Sequence, residues 1–338
     1  MFKENPGFYD ALRMLGAIHL SQHRFREALQ FGRRARDLRP SDAWNYGIIA
    51  DALIELGEYD QAFEAIDTMV AMRPSAAAYA RVAYARELRG DLEGALRAMQ
   101  MAAEATTPHD PEAQAWYSSQ VGELYLQMGK TDDAEHEYHR ATAIFPNYPS
   151  AIVGQGKVKA ARGDREGALA LYLDQLKRTP TLDLAARIGD LYAQAGDSAQ
   201  AEHYYQLAED VAGPALAQTE AHLALFLADR DRKLSDAVKI AEAVATTRHD
   251  LFTEDALAWA YYKAGRLEEA RVASQRALRT GTRDATILSH AAQIRRAQLS
   301  THFPLELCGD THSQRGQWRP AIVARQTDAA GQQRHHRE

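Results

Sequence analysis

The chain carries residue types that can do chemistry, but not at the spacings that chemistry needs. Gly129-Lys130-Thr131 matches the end of a phosphate-binding loop, in which backbone N–H groups and a Lys ammonium cradle phosphate oxygens. That loop needs a further Gly five residues before Gly129, following a strand, and position 124 is Leu. His136-Glu137-Tyr138-His139 is one residue short of the zinc-protease helix, whose two His stand four apart on one face to share a metal. Tyr138 falls on the apolar side, so His136 and His139 are expected in solvent, and His335-His336 bind nothing specific. The acid pairs Asp132-Asp133, Glu254-Asp255 and Glu268-Glu269 sit at helix starts or turns, where carboxylates favour the positive end of the helix dipole. No Ser-His-Asp set or Gly-rich strand-to-helix turn is present. The single cysteine, Cys308, makes neither an internal disulfide nor a zinc site. These residues point away from an enzyme, a metal site or a cofactor, and towards a chain whose function is binding.

Composition narrows the partner. The formal net charge of the 338 residues is −6, and Arg33, Arg34 and Arg36 sit beside Asp37 rather than in a basic stripe. Nucleic-acid binders need such a stripe to neutralise phosphates, so no nucleic-acid partner is expected. No segment approaches the roughly 20 apolar residues that cross a bilayer, and residues 1–10 lack a signal-type run, so the expectation is a cytoplasmic protein with no membrane partner. Arg well above Lys, with abundant Ala, suggests a GC-rich bacterial gene and favours helices.

What must position any functional residue is a repeat. Aligned on one small residue, the chain has anchors at Ala28, Ala62, Ala95, Ala134, Ala168, Ala201, Ala237 and Ala270, spaced 34, 33, 39, 34, 33, 36 and 33 residues apart. Periods of 20–50 residues mean stacked units. Each unit reads as two amphipathic helices. Gly57, Gly90, Gly129, Gly163, Gly196 and Gly265 mark the turns between them, and Pro40, Pro74, Pro146 and Pro180 close the second helices. Thr131 and Asp132 are candidate caps. Gly16, Ala50, Ala83, Gly122, Gly156, Gly189 and Ala258 give each first helix a small face against the anchor. The spacing of 39 predicts a longer loop at Thr106–Pro111, and that of 36 an insertion near Asp229–Ser235.

With Val121-Gly122, Tyr125, Ala134, Tyr138, Ala141 and Pro146 in one unit, and Leu12, Leu15-Gly16, Ala28, Ala35 and Pro40 in the first, the chain resembles the tetratricopeptide-repeat family. The resemblance implies an all-α, right-handed superhelical solenoid of about eight hairpins over residues 9–284. Residues 285–298 would be the first helix of a ninth unit, and 299–338 an irregular tail. Asn5-Pro6 looks like the close of a preceding repeat. Neither end shows a polar cap, which suits a piece of a longer array. The tail fits a shifted reading frame or a natural unstructured extension equally well.

In that family the first helix of each unit lines a concave groove. Carried onto this chain, the groove positions give a candidate partner-binding set of Trp44, Asp51, Tyr84, Trp116, Glu123, Lys157, Asp190, Phe226, Trp259 and Tyr262. The aromatics lie off the core stripe and are expected to be exposed anchors. Asp51, Glu55, Glu87, Glu123, Asp183, Asp190 and Asp255 outnumber Arg13, Lys157 and Lys263. An acidic groove with aromatic anchors fits an apolar peptide with basic flanks. The family's carboxylate clamp for peptide C-termini is missing at the matching positions. Two alternatives remain: a recruiting part of a larger enzyme, or an RNA-binding helical repeat. The open ends would also allow end-to-end self-association.

Overall fold

The computed structural model of the protein describes residues 6–219 and 221–302. Every regular element among these residues is a helix, and none is long and apolar enough to cross a membrane. They form eight antiparallel pairs in chain order: α1 (Pro6–Ser21) with α2 (Phe25–Leu38), α3 (Ala43–Glu55) with α4 (Tyr59–Met72), α5 (Ala76–Leu88) with α6 (Leu92–Glu104), and α7 (Pro111–Gln127) with α8 (Thr131–Ile144). Next come α9 (Pro149–Ala161) with α10 (Arg165–Arg178), α11 (Leu182–Gln194) with α12 (Ser198–Thr219), α13 (His222–Asp229) with α14 (Leu234–Val244), and α15 (Leu251–Lys263) with α16 (Leu267–Ala277). A seventeenth helix, α17 (Ala285–His302), packs on α15 and α16 and runs past residue 298. The predicted irregular tail beyond 302, with Cys308, His335 and His336, lies outside the described residues, as does Asn5.

The local rules that build each hairpin are visible. The turn glycines Gly57, Gly90, Gly129, Gly163, Gly196 and Gly265 all hold φ between +73° and +81°, a region that L-residues rarely adopt. The turn from α13 to α14 has no glycine and places Asp231 and Lys233 at φ +53° and +42° instead. Where a Pro closes the unit, the helix stops two residues before it: α2, α4, α8 and α10 precede Pro40, Pro74, Pro146 and Pro180. The intervening cap is pushed out of the helical region because the proline ring clashes with it.

Two sequence expectations change. The cap of α8 is Lys130, with no side-chain hydrogen bond, and Thr131 and Asp132 are already inside the helix. The insertion before α7 is only partly a loop. Asp110 caps α7 by accepting from Ala113 N–H, and Pro111 fits the first helical turn, so the extra residues lengthen the helix.

The core runs along the array between paired helices. All eight anchor alanines are at most 4% exposed. They face small residues because large neighbours fill the space: a Cβ on Gly122 would stand 2.8 Å from the Tyr138 ring, and one on Gly156 would overlap Tyr172. Tyr138 and Tyr172 are among the largest fully buried side chains. Neighbouring hairpins meet where the second helix of one packs on the first helix of the next, as α2 on α3 and α8 on α9, and first helices also touch one another, α7 on α9, α13 on α15 and α15 on α17.

The array does not stay open. The segment before α15 returns to the α3–α4 turn: Arg248 Nε lies 2.6 Å from the Glu55 carboxylate, His249 N–H donates to Glu55 O at 2.7 Å, and Leu251 N–H donates to Tyr59 Oη at 2.8 Å. Leu251, Ala277 and Ile287 join one apolar cluster with Ile49, Leu53, Tyr59, Ala85 and Leu88. The solenoid thus also closes on itself, between the second and third hairpins and the start of the last two units.

Candidate inner-face binding site

Several of the charged residues expected in the groove form ion pairs. Arg81 on α5 forks onto Asp51 of α3 through bonds of 2.9 and 2.6 Å. Lys157 on α9 reaches both oxygens of Glu123 on α7 at 2.9 Å, and Tyr138 Oη donates to the same carboxylate. Arg230 forks onto Asp190 of α11 at 3.1 and 2.6 Å. Lys263 meets Asp231 at 2.7 Å. The first three pairs tie the first helices of successive hairpins, and Lys263 ties α15 to the turn after α13, so that residues about one period apart stand face to face. Such pairs fix the angle between neighbours more than they add stability, because partly exposed ion pairs contribute about 0–1 kcal/mol.

The inner face is thus less acidic than its composition suggested. Arg81, Arg187, Arg230 and Arg248 stand among the acids, with Arg187 bonded to Asp183 at 2.8 Å. Sequence reading left them out because they fall off the family's groove positions. Arg248 lies between units and meets Glu55 only through ring closure.

The aromatics divide into two groups. Trp44 and Trp116 are 45% and 38% exposed. Arg13 stands over the Trp44 ring, and Trp116 lies edge-on to Tyr117. Phe226 and Trp259 are corrections: they are 3% and 5% exposed and belong to the core. Phe226 packs against Tyr205 with Arg230 over it. Trp259 is sandwiched by Tyr262 and by His290 of α17. The sequence could not show this, because the residue that covers Trp259 comes from the next unit. Tyr262 and Tyr84 are half-buried. The Tyr84 hydroxyl is pushed well above the usual phenol range by burial and by the nearby Glu55 and Asp250.

Between the walls of the ring lie two adjoining cavities of about 630 and 470 Å³, which share Arg187, His222, Leu225 and Thr286. Both fall in the size range of ligand pockets. The smaller one has Glu123 on one side, and Phe252, Asp255 and Asp284 on the other. Phe252 is 41% exposed, and neither Trp44 nor Trp116 borders these cavities. Glu87 stands near this wall. Burial raises its carboxyl, the hydrogen bond from Gln127 opposes that, and the charges of Glu123 and Asp284 add to the rise. Burial also raises Asp255, against the pull of His290.

The motifs considered for catalysis stay apart. His136 and His139 are exposed on α8, and among the described residues no group of three or more His, Cys, Asp or Glu could hold a metal ion. Lys130 sits in an inter-helix turn, against Tyr125.

Comparison with known proteins agrees with this architecture. The tetratricopeptide-repeat description matches residues 19–84, 122–183 and 182–213. Among solved structures, the Cut9–Hcn1 hetero-tetramer of the APC/C superposes with a TM-score of 0.50 at 14% identity, over 86% of this chain and 49% of that one. The chain thus spans about half the length of that relative. A tetratricopeptide repeat protein from Parabacteroides merdae gives 0.50 at 15% identity over 85% of this chain and 98% of its own. PilF of Pseudomonas aeruginosa gives 0.50 at 20% identity over 61% and 92%. At these identities the likeness shows the fold. No curated protein matches the chain. Repeat matches, all-helical hairpins and these structural neighbours together make the fold that of a protein-interaction scaffold, and the chain belongs to the tetratricopeptide-repeat family.

Proposed function

We propose that the protein binds a segment of a partner protein on its inner face, and that the segment is apolar with a basic residue. The observation that carries this reading is the cavity bounded by Glu123, Phe252, Asp255 and Asp284, with Glu87 beside it. Phe252 and Leu225 offer apolar area, and among the described residues no Lys or Arg is bonded to Glu87 or Asp284. A Lys or Arg side chain would supply the missing charge, and charged contacts of this kind set specificity and association rate more than affinity. Binding, not turnover, is the proposed activity. Trp116 and Trp44 would extend the contact outside the cavity.

The test is a set of 12-residue apolar peptides carrying a single Lys, Gln or Glu at the centre, titrated by fluorescence anisotropy. The reading requires Lys above Gln above Glu for the wild type, and loss of that order in Glu87→Gln. Equal binding of all three peptides, or none, would remove the inner-face assignment.

A further inference from the structure

One buried position breaks the repeat. Seven residues after the anchor alanine, the other units place Ala35, Met69, Ala102, Ala141, Ala208, Val244 and Ala277, all apolar and at most 3% exposed. In the fifth unit that position, on α10, is Gln175, itself 2% exposed. Among the described residues its Oε1 has no hydrogen-bond partner. Leaving a buried polar group unpaired forfeits its hydration with nothing in return, a penalty that the apolar residues of the other units avoid.

Gln175 borders a further cavity, of about 390 Å³, walled by α7, α9, α10 and α11. It adjoins the two cavities described above, sharing Glu123 with the smaller and Thr181 with the larger. The charges on its wall already answer each other, since Lys157 spans both oxygens of Glu123 at 2.9 Å. An ammonium entering beside Lys157, or a carboxylate beside Glu123, would disturb that pair. Uncharged hydrogen-bonding groups make up the rest. Ser119 Oγ gives its proton to Ala115 O at 2.8 Å and keeps its lone pairs. Among the described residues no side chain caps α9, whose first turn borders the cavity at Pro149 and Ser150.

We propose that this cavity is a subsite for a primary carboxamide, the side chain of an Asn or Gln in the bound segment. Two amides pair reciprocally: the ligand N–H donates to Gln175 Oε1, and the ligand oxygen accepts from Gln175 Nε2. A hydroxyl makes one such bond at a time, a carboxylate brings no donor and an ammonium no acceptor. The amide is kept for binding at the expense of stability, a common trade at functional positions. That a protein segment carries the carboxamide rests on the reading proposed above; the chemistry of the subsite does not.

The probes are the N-acetyl, N-methylamide derivatives of glutamine, glutamate, lysine and methionine. Their backbones are identical, so differences between them report the side chain. Each is titrated into the isotopically labelled full chain, and NMR follows the side-chain amide of Gln175, assigned by its absence in Gln175→Met, and the backbone amides of Ser119 and Val153. The glutamine derivative should bind about tenfold more tightly than the other three, the size of two neutral hydrogen bonds. Gln175→Met keeps the side-chain length without the amide, so it should melt at a higher temperature than the wild type and bind all four probes alike. Equal binding of the four by the wild type, or none, overturns the inference. So does a lower melting temperature for Gln175→Met, which would make the amide structural. A glutamine preference with no order among the Lys, Gln and Glu peptides would leave the subsite standing and remove the protein segment as its occupant. The peptide order without the glutamine preference would do the reverse.

Discussion

The His290 ring lies flat on Trp259, with centroids 3.9 Å apart and planes within 9° of each other. Its Nδ1 is 2.9 Å from Asp255 and its Nε2 3.7 Å from Asp229. Burial alone would lower the imidazole pKa, but the carboxylates of Asp229 and Asp255 outweigh it and raise the value to about 9. An imidazolium thus joins α13, α15 and α17, at a place where a π face and two anions all favour its charge.

Stability should therefore fall on the alkaline side. Below the unfolded pKa of about 6.5 both states hold the proton and the contribution is complete. As pH rises towards about 9 only the native state holds it, and the contribution is lost. At about 1.4 kcal/mol per pKa unit, the loss is about 3 kcal/mol. Denaturant midpoints from pH 6 to 10 should drop for the wild type, and His290→Gln should flatten that drop while lowering stability at pH 6.

Gly156→Ala should destabilise the protein although alanine is the better helix former. Propensity offers about 1 kcal/mol, but the new methyl meets the buried Tyr172 ring, and overpacking costs about 1–3 kcal/mol. A net loss of up to about 2 kcal/mol is expected by chemical denaturation. The double change with Tyr172→Leu should recover part of it, since the ring is the obstacle.

The two tryptophans should separate cleanly. Trp259→Ala empties a site in the core and should lower stability by about 3–5 kcal/mol. Trp116→Ala removes a partly exposed ring and should change stability by no more than about 0.5 kcal/mol. Urea titrations of the single variants decide this, and equal losses would mean that Trp116 is also structural.

Glu87→Gln should gain stability and lose binding. A carboxyl raised by burial and by Glu123 and Asp284 penalises the folded state once it ionises, and the amide removes that penalty while still accepting from Gln127. Affinity for a Lys-bearing peptide should fall about tenfold, the size of one charged hydrogen bond. Thermal melts and anisotropy on the same sample give both numbers.

The sequence by itself determined the repeat: where each hairpin turns, which small residues let its helices meet, and which face is buried. Ala28, Gly57, Gly122 and Pro146 carry that information because their constraints are local. Turns need positive φ, helix ends need proline stops, and close helix pairs need small side chains, all within one period. The groove positions of the family it resembles, carried onto the chain, also put Asp51, Glu123, Lys157 and Asp190 on first helices, and they lie on α3, α7, α9 and α11.

Only the tertiary structure decided what those positions meet. Arg81 against Asp51 and Arg230 against Asp190 depend on the rotation between successive units. Trp259 and Phe226 sit where exposed anchors were expected, yet neighbouring units cover them. Ring closure had no signal in the sequence at all. Glu55 and Arg248 are brought together by small inter-hairpin angles summed over six units, and no local pattern of residues encodes a sum.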